Sequence, residues 1–142
     1  MSSFLAPNST VVSVDFPMVD GTPGIVDPEK NLRHNCSRMA DFGHRVWLMI
    51  GDSHSPEIVE KAMELGPYDF GFIDADHSYE GVKADWENYG PMCKVVGFHD
   101  IDNKNEPGCV KLWNELKAQH RFMEIIDRPG ELGIGIIFRE PV

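Results

Sequence analysis

The sequence predicts an α/β protein with a doubly wound, mostly parallel sheet that closes with an antiparallel strand pair. Short apolar runs alternate with helical patterns along most of the chain, which is the element order of a parallel sheet. Two of these runs, 70–73 and 95–98, flank a single helical pattern, as in a strand–helix–strand unit. The last two runs, 122–126 and 132–138, are joined by too few residues for a parallel crossover, so they are expected to be antiparallel.

Length and composition narrow the class of protein. The 142 residues are expected to form one domain over 1–142. With 13 basic and 23 acidic residues the net charge is −10, which argues against binding to nucleic acid or to an anionic membrane surface. No apolar run in these residues is long enough to span a membrane, and no secretory leader is expected. The three cysteines lack CxxC spacing, as expected of reduced thiols in a cytoplasmic protein.

The first strand and helix are predicted from local residue types. The β-branched residues at 10–15 form a strand that ends in an acid. Residues 16–26 contain two prolines and two glycines, so they are expected to be a loop. Asp27 and Pro28 are typical of a helix start, and Gly43 is typical of a helix end.

The remaining elements follow from similar patterns. Residues 45–50 predict a strand, and Ser55-Pro56 opens a helix that Gly66-Pro67 ends. Further helices are expected between the two central strands and after Pro107. The apolar positions expected to face inward on these three helices are Ile58, Val59, Ala62 and Leu65; Tyr79, Val82, Trp86 and Tyr89; and Val110, Trp113 and Leu116.

Polar residues gather directly after the two central strands. Because the strands of such a unit are parallel, their carboxyl ends meet at one edge of the sheet, where ligands of these folds bind. Carboxylates and imidazoles at neighbouring strand ends are typical of sites for a metal, a substrate hydroxyl or a cofactor. The residues expected to converge there are Asp74, Asp76 and His77 from the first strand, and His99 and Asp100 from the second.

A purely structural interpretation stands beside this one. Asp76 or Ser78 is suited to cap the helix that follows. Asp102 and Asn103 are ordinary turn residues. Each acid alone is better explained in this way, whereas two clusters at neighbouring strand ends favour a binding site.

Five motifs carry a resemblance to a known family: VVSVD (11–15), GDS (51–53), YDFGFIDADHSYEGVKADWENY (68–89), GFHDI (97–101) and GCVKLWNELK (108–117). In these motifs the chain resembles the class I S-adenosylmethionine-dependent methyltransferases, in the branch related to catechol-type O-methyltransferases and cephalosporin-hydroxylase-like proteins. The resemblance implies a Rossmann-like fold. It also implies methyl transfer from S-adenosylmethionine to the hydroxyl of a small molecule, assisted by a divalent metal, magnesium or manganese.

The resemblance also implies roles for individual residues. Asp15 would bind the cofactor ribose, Asp52 and Ser53 would meet its adenine, and Asp74 would lie where the cofactor and the metal meet. The metal ligands would be Asp74, Asp100 and the neighbouring His99. In relatives an acid or amide takes the position of His99, so an imidazole there would favour manganese, iron or zinc. His77 stands where catechol-type relatives have a lysine base, and a histidine is suited to accept a proton near neutral pH.

The family's first strand and glycine-rich turn have no counterpart in these residues, so we expect an N-terminally truncated fold. Its open sheet edge would favour a homo-oligomer. Two alternatives stay open. Asp74-Ala75-Asp76 resembles the DxD metal motif of nucleotide-sugar glycosyltransferases, and a non-catalytic, degenerate sheet domain is the other alternative.

Overall fold

The computed structural model describes residues 5–16 and 28–139. The described residues form six strands and four α-helices, with a short 3₁₀ helix at Gly90–Met92. In chain order these elements are β1 (Thr10–Asp15), α1 (Pro28–Asp41), β2 (Arg45–Ile50), α2 (Pro56–Leu65), β3 (Tyr68–Ile73), α3 (Tyr79–Tyr89), β4 (Cys93–Phe98), α4 (Pro107–Lys117), β5 (Arg121–Ile125) and β6 (Ile134–Phe138).

The chain divides into two compact units, Met1–Ile58 and Val59–Val142. The expectation of a single domain over 1–142 stays a prediction. No helix among the described residues is long and apolar enough to cross a membrane.

The first unit contains a parallel strand pair. β1 runs beside β2 with Thr10 opposite Arg45 and Asp15 opposite Ile50. The helix between these strands, α1, ends before Gly43, whose φ of 84° is the left-handed conformation that glycine adopts without strain. The predicted helix cap at Asp27 and the predicted loop beyond residue 16 lie outside the described residues.

The second unit contains a four-stranded sheet in the order β3-β4-β6-β5. β3 and β4 are parallel, with Ile73 opposite Phe98. β6 pairs antiparallel with both β4 and β5. The parallel central unit and the antiparallel closing pair are therefore confirmed.

The core of the second unit lies between its sheet and helices α3 and α4. Val96 and Ile137 from the sheet and Trp113 from α4 are fully buried. The Trp113 indole N–H donates to Glu124 Oε1 at 2.6 Å, which ties α4 to strand β5. Burial of the large apolar side chains supplies most of the stability of such a core. Its members are Ile73, Val82, Cys93, Val96, Phe98, Ile101, Cys109, Leu112, Trp113, Leu116 and Ile137.

Two details differ from the sequence prediction. The last strand begins at Ile134 and not at 132, because the preceding residues bond to another loop: Gly133 O accepts from Ile101 N at 3.3 Å. On α2 the prediction of an inward face is met in full at Ala62, whereas the other three predicted positions are partly exposed.

Candidate functional site

Backbone pairing places the ends of β3 and β4 side by side. Ile73 lies opposite Phe98 in the parallel register. Beyond that pair, His99 N donates to Ile73 O at 3.1 Å. Asp74 and His99 therefore leave the sheet next to each other, and Asp100 follows at the same edge.

Four of the predicted site residues converge here, and we call Asp74, His77, His99 and Asp100 the Asp/His cluster. His77 Nε2 and His99 Nδ1 each lie 3.3 Å from Asp74 Oδ1. His77 Nδ1 and His99 Nδ1 each lie 3.3 Å from Asp100 Oδ2. Each histidine thus lies 3.3 Å from both carboxylates, so the four side chains are close enough to share one small ligand.

Asp100 is held by an unusual backbone and by its surroundings. Its φ is 57°, a left-handed conformation that aspartate tolerates better than most residues. The residue is 4% exposed, and a buried carboxylate needs compensating partners. Asn103 Nδ2 donates to its Oδ1 at 3.2 Å, which leaves Oδ2 facing the two histidines.

The cluster fits a divalent cation. Asp74, His77 and His99 each offer one ligand atom, and these atoms lie within 4.8 Å of one another. His99 Nδ1 is buried and makes no hydrogen bond of acceptable geometry with the described residues, although two carboxylate oxygens are 3.3 Å away. A cation shared by the carboxylates and this nitrogen would satisfy all three groups.

Glu106 is a member of the site that the sequence analysis missed. Its Oε2 lies 3.5 Å from His77 Nδ1. Glu106 stands at the N-terminal end of α4, just before Pro107. Because Pro107 marks the helix start, the sequence shows that Glu106 lies at the N-terminal end of a helix. No local pattern shows that this helix end meets His77.

A glycine allows that close approach. A Cβ at Gly108 would overlap the backbone of His77 and Tyr79. Because the residue is glycine, the first turn of α4 can pack against the segment that carries His77. Both segments line an open pocket of about 460 Å³, within the range of small-molecule sites.

The pocket has one cluster member on its wall, His77, together with Glu106. Tyr79 and Lys111 continue the wall. Lys111 Nζ lies 3.5 Å from the centre of the Tyr79 ring, a cation–π contact, and the Tyr79 hydroxyl donates to Glu115 Oε2 at 2.9 Å. His77 is therefore the side chain that connects the Asp/His cluster to the pocket.

Negative charge dominates this region. Burial raises the pKa of the Cys109 thiol to about 11, and the carboxylates of Asp100 and Glu106 add to the increase. The Cys109 thiol contacts the His77 carbonyl oxygen at 3.8 Å. The carboxylates near this thiol carry the negative charge that would attract a cation.

Ser78 and Asp76 have structural roles, as the alternative interpretation expected. Ser78 is the N-cap of α3, and its hydroxyl accepts from Gly81 N at 3.0 Å. Asp76 Oδ1 accepts from Ser78 N at 2.8 Å. The second acid of the DxD-like triplet therefore stabilises the turn before α3. Asp102 is likewise a turn residue, accepting from Gly130 N at 2.7 Å.

Three of the four residues predicted to meet the cofactor, Asp15, Asp52 and Ser53, belong to the first unit. Asp15 is exposed at the end of β1. Asp52 is exposed two residues beyond the end of β2, and its Oδ1 accepts from His54 N at 2.9 Å. Ser53 follows it in the same turn. Parallel pairing brings Asp15 and Asp52 to the same edge of the β1–β2 pair, while their roles stay predictions.

Comparison with known proteins identifies the family. Residues 1–103 match the model of a family described as a methyltransferase domain. This match covers most of the chain, so the chain belongs to that methyltransferase family. A search among curated protein sequences found no match.

Two solved structures are similar in fold. One is the apo structure of CalS11, a TDP-rhamnose 3′-O-methyltransferase of calicheamicin biosynthesis, with a TM-score of 0.63 and 18% identity over 89% of this chain. The other is the MycE methyltransferase of the mycinamycin pathway, in complex with Mg and SAH, with a TM-score of 0.54 and 12% identity over 92% of this chain. The chain spans 57% and 45% of their respective lengths. The likeness confirms the predicted Rossmann-like α/β fold.

Proposed function

We propose that the chain is the methyltransferase domain of an S-adenosylmethionine-dependent O-methyltransferase that acts on a hydroxyl of a small molecule with the help of a divalent cation. The observation that carries the proposal is the Asp/His cluster, whose carboxylates and imidazoles lie 3.3 Å apart beside a pocket of about 460 Å³. Family membership supports the reaction class. The complex of MycE with Mg and SAH supports the cofactor and the cation.

The cation would be held by Asp74, Asp100 and His99. The unsatisfied Nδ1 of His99 and the two carboxylates that face it are the basis of this assignment. When bound, such a cation acts as a Lewis acid that makes a nearby hydroxyl more acidic. The buried carboxylate of Asp100 fixes one side of the site, while the exposed Asp74 completes the other.

His77 would accept the proton of the acceptor hydroxyl. It is the cluster member that lines the pocket, so an acceptor bound there would meet its imidazole. Asp100 and Glu106 lie 3.3 and 3.5 Å from its Nδ1, and these carboxylates would orient the ring. His77 thus lines the pocket and has a carboxylate near each of its ring nitrogens.

Asp15, Asp52 and Ser53 would bind the nucleoside part of S-adenosylmethionine. An acid at the end of a strand in such folds accepts hydrogen bonds from ribose hydroxyls. Asp15 has this position on β1, and its side chain is exposed. Asp74 is the fourth residue that we propose to contact the cofactor.

The glycosyltransferase alternative is not favoured. It depends on the Asp74-Ala75-Asp76 triplet, and Asp76 is used to stabilise the turn before α3. The family match is to a methyltransferase domain. The non-catalytic alternative predicts that the chain does not bind the cofactor, whereas the proposal predicts that it does.

Calorimetric titration with S-adenosylhomocysteine, with and without Mg²⁺ or Mn²⁺, tests the proposal. We expect binding by the purified chain and a decrease of roughly tenfold or more in affinity for Asp15→Ala, since hydrogen bonds to a charged group are lost. Asp127→Asn, at a carboxylate that is 97% exposed, is the matched control and is expected to bind like the wild type. Absence of binding under every condition would favour the non-catalytic domain.

A further inference from the structure

The nitrogen of His99 is in an unusual position for a histidine without a ligand. Its Nδ1 is buried and lies 3.3 Å from Asp74 Oδ1 and 3.3 Å from Asp100 Oδ2. Nevertheless it makes no hydrogen bond of acceptable geometry with the described residues. An N–H placed between two carboxylates would be expected to point at one of them. A nitrogen lone pair that faces a point shared with both carboxylates explains the arrangement better.

A nitrogen donor changes which ion a site prefers. Carboxylate and carbonyl oxygens suit Mg²⁺, whereas imidazole suits zinc, iron, nickel and copper. The backbone fixes the position of His99, because its N–H donates to Ile73 O at 3.1 Å beside the paired strand ends. The ring therefore enters the cluster from the rigid sheet and not from a mobile loop.

We propose that His99 is a direct nitrogen ligand of the cation and that it makes the site select a transition-metal ion, such as Zn²⁺ or Fe²⁺, over Mg²⁺. This inference rests on the proposed function for the presence of a cation at the Asp/His cluster. It goes beyond that function in naming the class of ion and the residue that decides it. Asp74 and Asp100 supply charge to the ion, and His99 supplies the selectivity.

Two substitutions at this position change the donor atom with little change in shape. Histidine Nδ1 and aspartate Oδ1 are both bonded to Cγ, so His99→Asp puts an oxygen close to where the nitrogen was. His99→Asn does the same without an added charge, which guards against a variant that fails because three acids repel one another. His34→Asp, on the exposed side of α1, is the matched control.

The experiment measures Zn²⁺ and Mg²⁺ affinities of the full chain by calorimetry and the zinc ligands by X-ray absorption. For the wild type we expect a strong preference for Zn²⁺ and imidazole scattering from the bound ion. In both His99 variants the ratio of Zn²⁺ to Mg²⁺ affinity is expected to fall by about tenfold or more, with loss of the imidazole contribution. His34→Asp is expected to keep the wild-type ratio, and His77→Gln measures whether the second imidazole of the cluster contributes to it.

Four results would overturn the inference. An unchanged affinity ratio in the His99 variants would show that this nitrogen does not choose the ion. Imidazole scattering that disappears in His77→Gln and persists in His99→Asp would show that the nitrogen ligand is His77 and not His99. A wild-type chain that binds Mg²⁺ through oxygen alone would reject the inference and leave the proposed function intact. Failure to bind any ion would reject both the inference and the metal part of that function, whereas S-adenosylhomocysteine binding tests the cofactor part separately.

Discussion

At Asp100 an unusual backbone conformation and a buried side chain together place the carboxylate between two histidines. The left-handed φ of 57° turns the chain directly after β4, and the carboxylate is 4% exposed between two histidines. Strain of this kind persists where the surrounding structure enforces it, often at functional sites. Two hydrogen bonds hold this turn in place. The neighbouring Ile101 N donates to Gly133 O, and Asn103 Nδ2 donates to the Asp100 carboxylate.

Asp100→Ala is expected to abolish cation binding and any metal-dependent activity. It also places alanine in a left-handed conformation, which costs about 1 kcal/mol of folding free energy. Asp100→Asn should keep the backbone, since asparagine tolerates this conformation, and should still weaken cation binding. Calorimetry and urea unfolding of both variants separate the two effects. Undiminished metal-dependent activity in Asp100→Ala would remove this residue from the site.

The Cys109 thiol is expected to react slowly with alkylating reagents. Burial, assisted by nearby carboxylates, raises its pKa from 9.0 to about 11, so at pH 8 the thiolate fraction is about one in a thousand. Cys36 is partly exposed and should react first in the native protein. Peptide mass spectrometry after timed alkylation measures both rates, and denaturation in urea should make them similar. Equal rates in the native protein would contradict the expectation.

The same pKa has a consequence for stability. Because the folded-state pKa of Cys109 is raised, its contribution to folding is complete below the ordinary thiol pKa. It is lost as pH rises through about 11. We therefore expect the free energy of unfolding to decrease as the pH rises from 9.0 to about 11. The decrease should be smaller in Cys109→Ala, which lacks the thiol.

At the scale of elements, Glu124 links α4 to strand β5. It accepts from Trp113 Nε1 at 2.6 Å and from Lys117 Nζ at 3.0 Å. These two hydrogen bonds lower the pKa of Glu124 from its ordinary 4.5, the Trp113 bond having the larger effect. The link joins an otherwise exposed edge strand to the buried face of a helix.

Glu124→Gln is expected to lower the free energy of unfolding at pH 7 by roughly 1 kcal/mol, a modest value because the carboxylate is partly exposed. A depressed pKa stabilises the folded state above the ordinary carboxyl pKa, and this contribution is lost as pH falls through the folded-state value. The difference between variant and wild type should therefore shrink below pH 4.5. Urea unfolding at several pH values measures it, with Asp127→Asn at an exposed carboxylate for comparison. A difference that does not depend on pH would exclude the charged form as its cause.

At the scale of the whole molecule, the two compact units divide the predicted roles. The residues predicted to meet the cofactor nucleoside lie in Met1–Ile58, and the Asp/His cluster lies in Val59–Val142. The predicted homo-oligomer and cytoplasmic location stay predictions. The family match, over 1–103, includes residues of both units.

Cation binding is expected to stabilise the second unit selectively. An ion that binds the assembled cluster and not the unfolded chain adds about 2.7 kcal/mol when its concentration is a hundred times its Kd. Hydrogen exchange with and without Zn²⁺ should show increased protection around Asp74 and His99, and none in α1. Asp74→Asn should lose this protection. Uniform protection of both units, or an unchanged response in the variant, would argue against binding at the cluster.

Much of the fold and part of the site were legible in the sequence. The alternation of apolar runs and helical patterns predicts the elements to within a few residues, because local periodicity and turn residues determine them. It also predicts the meeting of 74, 77, 99 and 100, because parallel strands end at one edge. The start of β6 was placed two residues early, since a non-local bond between Gly133 and Ile101 ends the preceding loop.

Other features depend on contacts between distant parts of the chain. Glu106 reaches His77 because Gly108 lets α4 approach closely, and no local pattern encodes that distance. The sequence left open whether Asp76 stabilises the helix start or belongs to the binding site. The turn geometry decides this, because the Asp76 carboxylate accepts from Ser78 N. The sequence by itself determined the order of elements and the edge at which polar groups gather, because these follow from short-range patterning and chain chirality. Tertiary structure alone decided which groups face one another across 3.3 Å and which side chain, His77, opens onto the pocket, because those depend on how helices and loops pack.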